Sequence, residues 1–291
     1  MSIDIGRVFS NTWEMIKQRF WLLLALWAVF FAVQIVFSIV FTIVGGGSIA
    51  ALGAAAGGGG DAALLGGLGI GAILLMIVFY VAYILIALAQ QCSMSEMASP
   101  LDKPEFGQAF TNGFRAAPTL LGLFALLIAA YIGFAIVGLI VGFILAFLGD
   151  IGGLLFGLLA FAAIIYFAVR LSVIIPVIAV DKVRNPITAI TKTWNMTAGK
   201  FLPILVIYLI MIGVALLVVG LPVFLMLGSI GAMAMGGDPA AAGGAIMGVL
   251  GGFFLIFPLF IIFSIFSVTL VSCLHAEVTD STAEKAQDTF S

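Results

Sequence analysis

Few residues in this chain could carry out chemistry, and their spacing narrows the choice further. His275 is the single histidine, flanked by Cys273 and Glu277, and a second Cys-x-x-x-Glu pair lies at Cys92 and Glu96. Thiolate, imidazole and carboxylate are all metal-ligand types. On a helix, however, positions 273 and 277 share a face while 275 points away. Asp61, Asp150 and Asp238 each fall in a glycine-rich segment. A shared cation site would use such carboxylates, yet one acid per turn reads more simply as turn composition. Met226, Met233 and Met235 read as apolar packing. The chain has no nucleophile–base–acid set and no phosphate-binding loop. The sequence therefore predicts no enzyme activity, no metal and no cofactor.

Arg170 is the polar residue of most interest. It stands inside an apolar run, about ten residues or some 15 Å from its end at 1.5 Å per residue. A base at that depth in a membrane is a functional hypothesis by default. Its counterparts by internal alignment are Gln91 and Ser272. Together these three predict a polar pocket at inner-leaflet depth, suited to an anionic lipid headgroup. The structural alternative has Arg170 snorkelling to the interface or bonding carbonyls freed by Pro176. Gln34, Ser38 and Thr42, at steps of four, form a polar stripe on the first apolar segment. The stripe reads as hydrogen bonding between helices, with a polar pathway as the sharper alternative.

The elements that position these residues follow from composition. Of 291 residues, 64% are hydrophobic and 8% charged, and mean hydropathy is +1.34. Soluble domains carry about 25% charged residues, so this is an all-α polytopic membrane protein. Soluble, disordered and nucleic-acid-binding classes are excluded. Six runs reach the roughly 20 apolar residues a span needs: residues 20–44, 68–91, 118–148, 154–180, 201–227 and 245–274. Pro118 and Pro203 fall in first turns, where a missing N–H costs nothing. Pro176, Pro222 and Pro258 predict kinks. Gly138/Gly142, Gly153/Gly157 and Gly244/Gly248 are small-xxx-small pairs, which mark close helix approach.

Ten of the eleven bases lie before span 1, in the 2–3 and 4–5 connections, or in the tail; the other connections have none. Both termini are therefore expected in the cytoplasm. Span 1 is too long for a cleaved leader's apolar region of about 7–15 residues. Cys92 and Cys273 then fall on the reducing side, as free thiols.

The spans form three hairpins with one grammar. Phe9-Ser10-Asn11-Thr12-Trp13, Phe110-Thr111-Asn112-Gly113-Phe114 and Ile190-Thr191-Lys192-Thr193-Trp194 each precede a hairpin. Hairpin exits align too: residues 89–93 match 168–172, and an offset of 181 places Cys92 on Cys273 and Glu96 on Glu277. The chain reads as one membrane domain, 1–291, of three units at 1–97, 98–180 and 181–277, with a polar tail at 278–291. Each unit opens with an amphipathic helix on the cytoplasmic side. Trp13, Phe114, Trp194, Lys192 and Lys200 suit docking at the headgroup level; simple anchoring of each hairpin is the plainer reading.

The stretch from Val169 to Phe201 reads VRLSVIIPVIAVDKVRNPITAITKTWNMTAGKF. Arg-Leu-Ser with a proline four residues after the serine, a charged break, Pro-x-x-Ala and a helix ending in Gly-Lys-Phe resemble the membrane-domain family associated with glycerophosphodiester phosphodiesterases. Uncharacterised bacterial inner-membrane proteins look similar. Thr193 stands where the family has serine before tryptophan. The catalytic barrel of some relatives would need well over 200 further residues, so the resemblance implies membrane context and no hydrolase.

The expected function is non-enzymatic binding of membrane lipids or of a membrane partner, possible partners being a larger assembly or a homo-oligomer. The alternative is a small-molecule transporter or channel. The expected location is the bacterial inner membrane. A fluorescent protein fused at either terminus should fluoresce, and alkaline phosphatase at either terminus should be inactive. The reverse pattern overturns the orientation.

Overall fold

A computed structural model describes residues 3–57, 62–220, 222–224, 226–229 and 239–290, with side chains over 3–44, 71, 73–220, 222–224, 226–229 and 247–280. Most described residues are helical, and none of them forms a strand. The helices are α1 (Ile5–Gly57), α2 (Ala62–Met97), α3 (Phe106–Ala146), α4 (Asp150–Arg170), α5 (Ile174–Ala179), α6 (Pro186–Met196), α7 (Phe201–Ala215) and α8 (Pro239–Phe290). A π-helical turn, Leu216–Gly220, follows α7. Six segments are long and apolar enough to cross a membrane, each near one of the expected spans. Asp61 and Asp238, two of the three loop acids, lie outside the described residues.

Two boundaries differ from expectation. No Gly or Pro interrupts residues 7–44, so the segment before span 1 runs straight into it as α1. The second segment likewise continues into its span as α3, which puts Pro118 inside the helix and not in its first turn. The third segment does stop. α6 is capped at Thr197, and Gly199 then takes a left-handed conformation at φ 71°, which glycine adopts without Cβ strain.

The helices close into a ring. α1 packs on α2, α2 on α3, α3 on α4 and α4 on α7; the turn after α7 packs on α8, and α8 returns to α1. The core sits at the end that holds both termini, where Arg7 of α1 lies 3.7 Å from Glu277 of α8. Leu26, Phe30, Ala89, Leu120, Val177, Ile204 and Leu274 are buried there. From Phe124 to Ala168, by contrast, Gly152 alone is buried. The outer halves of α3 and α4 present apolar side chains outward, as a lipid solvent permits.

Side chains at the packed end are bonded across the ring. Arg19 donates to the Met97 carbonyl at 2.8 Å, and Lys200 to the Val278 carbonyl at 2.9 Å. Asn112 donates to Glu96 at 2.8 Å. α2 and α3 meet closely at Gly113. A Cβ there would overlap the Ser93 hydroxyl and stand 2.5 Å from the Ala89 carbonyl. Gly113→Ala should therefore destabilise the protein by about 1–3 kcal/mol, as overpacking does, read as a lower unfolding temperature in detergent. An unchanged unfolding temperature would mean the two helices separate freely.

Candidate functional site

The site begins with a proline. Pro176 has no N–H, and its ring crowds the carbonyl four residues back. The helix breaks there: α4 stops at Arg170 and α5 starts at Ile174. The Ile174 N–H bonds Leu171, which leaves the Arg170 carbonyl without its helical donor. Hydroxyls of the third hairpin take both freed carbonyls. Thr197 Oγ1 lies 3.0 Å from Arg170 O and shares its proton between that carbonyl and Thr193 O at 2.8 Å, and Tyr208 donates to Ser172 O at 3.3 Å. The break thus locks α4 to α6 and α7. Arg170 itself bonds neither carbonyl.

The Arg170 side chain lies over the Trp194 ring, with Cζ 4.3 Å from the centroid, and 6.0 Å from the Tyr166 ring. Tyr166 and Phe167 each pack on Trp194, and Tyr166 also packs on Phe201. Arg170 is 7% exposed, and its Nε is buried with no hydrogen-bond partner. Among the described residues no carboxylate pairs with it. A desolvated cation over tryptophan gains about 2 kcal/mol. That leaves most of the cost of burying an unpaired charge uncompensated.

Gln91 and Ser272 do not join Arg170. Gln91 lines a separate cavity of about 210 Å³ with Ser95, Ser172, Tyr208 and Ser267. Ser272 reaches its edge by hydrogen bonds to Ser95, 3.1 Å between the hydroxyls and 3.0 Å to the carbonyl. Of the polar stripe, Gln34 donates to Gln90 at 2.8 Å. Ser38 and Thr42 are exposed and line a surface depression with Ile35 and Ile39. Trp13 is exposed beneath the Lys17 ammonium. Phe114 stacks on Phe30. Lys200 is buried, and Lys192 pairs with Asp181 at 2.9 Å. Cys92 and Cys273 are buried free thiols. Among the described residues no group of three His, Cys, Asp or Glu side chains could hold a metal ion.

Sequence alone assigns Asp181 no role. In the structure it joins α6 to α8. Its Oδ2 accepts from Lys192 and lies 3.1 Å from Nε2 of the fully buried His275. Burial pushes the Asp181 carboxyl up, but the hydrogen bonds and charges of His275 and Lys192 outweigh it and hold the carboxyl below the usual 3.8. No family model, curated protein or solved structure matches the chain.

A carboxyl depressed in the folded state adds stability that is present above the ordinary carboxylate range and lost as pH falls through its lowered value. Asp181→Asn should cost about 1–3 kcal/mol at pH 7, because buried His275 loses its ionised partner. It should also flatten the loss of stability below pH 4. Thermal unfolding of the two proteins across pH checks both, and equal curves would deny the clasp any part in stability.

Proposed function

We propose that the chain is a non-enzymatic integral membrane protein whose Arg170–Trp194 site binds the anionic headgroup of an inner-leaflet lipid. One observation carries this reading: a buried guanidinium stacked on tryptophan, with Nε unpartnered and, among the described residues, no carboxylate beside it. A charge held in low dielectric calls for a counter-charge, and lipid phosphate is the abundant anion at that depth. Arginine offers a planar fork that matches phosphate oxygens. The resemblance across Val169 to Phe201 points to the same membrane context.

The finer architecture belongs to this proposal. Three repeat units, each opened by an amphipathic helix, place both termini in the cytoplasm of a bacterial cell. Two bonds support the repeat: Arg19 to Met97 and Lys200 to Val278 join positions that stand 181 residues apart in the chain, pair for pair. Phe9 through Trp13 and Ile190 through Trp194 are offset by the same interval. The transport reading has one supporting feature, the hydroxyl-lined cavity at Gln91. It is weakened by the exposed positions of Ser38 and Thr42, which do not line that cavity.

Native mass spectrometry of protein extracted with its lipids tests the binding reading. Wild-type protein should retain anionic phospholipid, and Arg170→Gln should lose about tenfold of it, the loss of one or two charge-assisted hydrogen bonds. Arg170→Lys, which keeps the charge without the planar fork, should fall between. Equal lipid content in all three proteins would overturn the reading.

A further inference from the structure

The hairpin of α3 and α4 is held at its outer end, where Phe156 packs over Gly138 and Gly142. Nearer the packed end the two helices diverge and leave a groove of about 250 Å³. Leu127, Ala130, Tyr131 and Phe134 line it from α3; Ile164, Phe167 and Leu171 line it from the other wall. Apart from the Tyr131 hydroxyl, these side chains are apolar. The walls run from Leu127 and Leu171 at the packed end to Phe134 and Ile164 farther out. That is about 10 Å of helix, against roughly 15 Å for half a bilayer's hydrocarbon.

Arg170 adjoins the packed end of this groove without lining it. Its sequence neighbours Phe167 and Leu171 form the groove wall, and the Phe167 ring lies 5.9 Å from the Trp194 ring on which the guanidinium rests. An unpaired cation at one end and an apolar channel leading away from it match the polarity of one molecule: an anionic phospholipid with its phosphate toward the chain termini.

We propose that the α3–α4 groove holds one acyl chain of an anionic glycerophospholipid whose phosphate sits at Arg170. This rests on the headgroup reading above and adds the chain-binding half of the site. Arg170 selects the charge, and the groove selects a lipid over a soluble phosphate ester. A bulky side chain at Ala130, which faces the groove and is otherwise exposed, would fill the channel without disturbing the core.

The test uses the full-length protein in detergent, loaded with phosphatidylglycerol or phosphatidylcholine, and native mass spectrometry as the readout. Wild-type protein should retain phosphatidylglycerol over phosphatidylcholine, and glycerol phosphate at equal concentration should not displace it. Ala130→Trp should lower retained phosphatidylglycerol about tenfold, the equivalent of withdrawing a few methylenes from burial. Ala130→Ser should retain it as wild type does. If Ala130→Trp keeps the lipid while Arg170→Gln loses it, the groove assignment falls and the headgroup reading stands. Displacement by glycerol phosphate would likewise remove the acyl chain from the site. If wild-type protein does not distinguish the two lipids, the headgroup reading fails and takes the groove with it.

Discussion

One missing hydrogen bond organises the packed end of this molecule. A membrane helix must satisfy its backbone internally, because lipid offers no partner. Pro176 makes that impossible for one turn of the fourth span. The chain meets the requirement by bringing in hydroxyls from elsewhere, Thr197 and Tyr208, which take the freed carbonyls of Arg170 and Ser172. The break therefore fixes the third hairpin against the second. It also ends α4 at Arg170, so the guanidinium leaves the helix beside Trp194.

The remaining cohesion is concentrated at the same end. Side chains at the packed end bond across the ring, from Asn112 to Glu96, from Lys192 and His275 to Asp181, and between Ser95 and Ser272. Packing between small residues supports them where Gly113 meets α2. The outer halves carry apolar side chains that face lipid, and lipid gives helices little hydrophobic reason to associate. Polar residues are scarce in this chain, and most of those with side-chain partners sit where the helices converge.

Much of this was legible in the residues. Hydropathy alone placed six spans, because a span is a local property of about twenty residues. The failure at Pro118 was a matter of boundaries: Gly107 and Gly113 precede it without ending the helix, so the helix began twelve residues earlier than hydropathy suggested. Arg170 was conspicuous as the one base inside a span. Its partner was not, since Trp194 lies on a separate helix beyond two turns of backbone, and only the tertiary fold brings the ring over the guanidinium. The internal alignment matched Arg170 with Gln91 and Ser272. Alignment fixes position along a helix and not the direction a side chain leaves it, so Arg170 went to Trp194 while Gln91 and Ser272 went to a different cavity. Nothing near Asp181 in sequence announced His275.

The closure of the ring has a consequence for synthesis. α1 is made well before the surface it packs against on α8, and the Ser95–Ser272 bonds join residues 177 apart. Contacts of such separation must wait for loop closure. During translation the buried face of α1, with Val8 and Thr12, stands without its final neighbour until the sixth span emerges. A chain released early would hold five inserted helices and an unsealed seam.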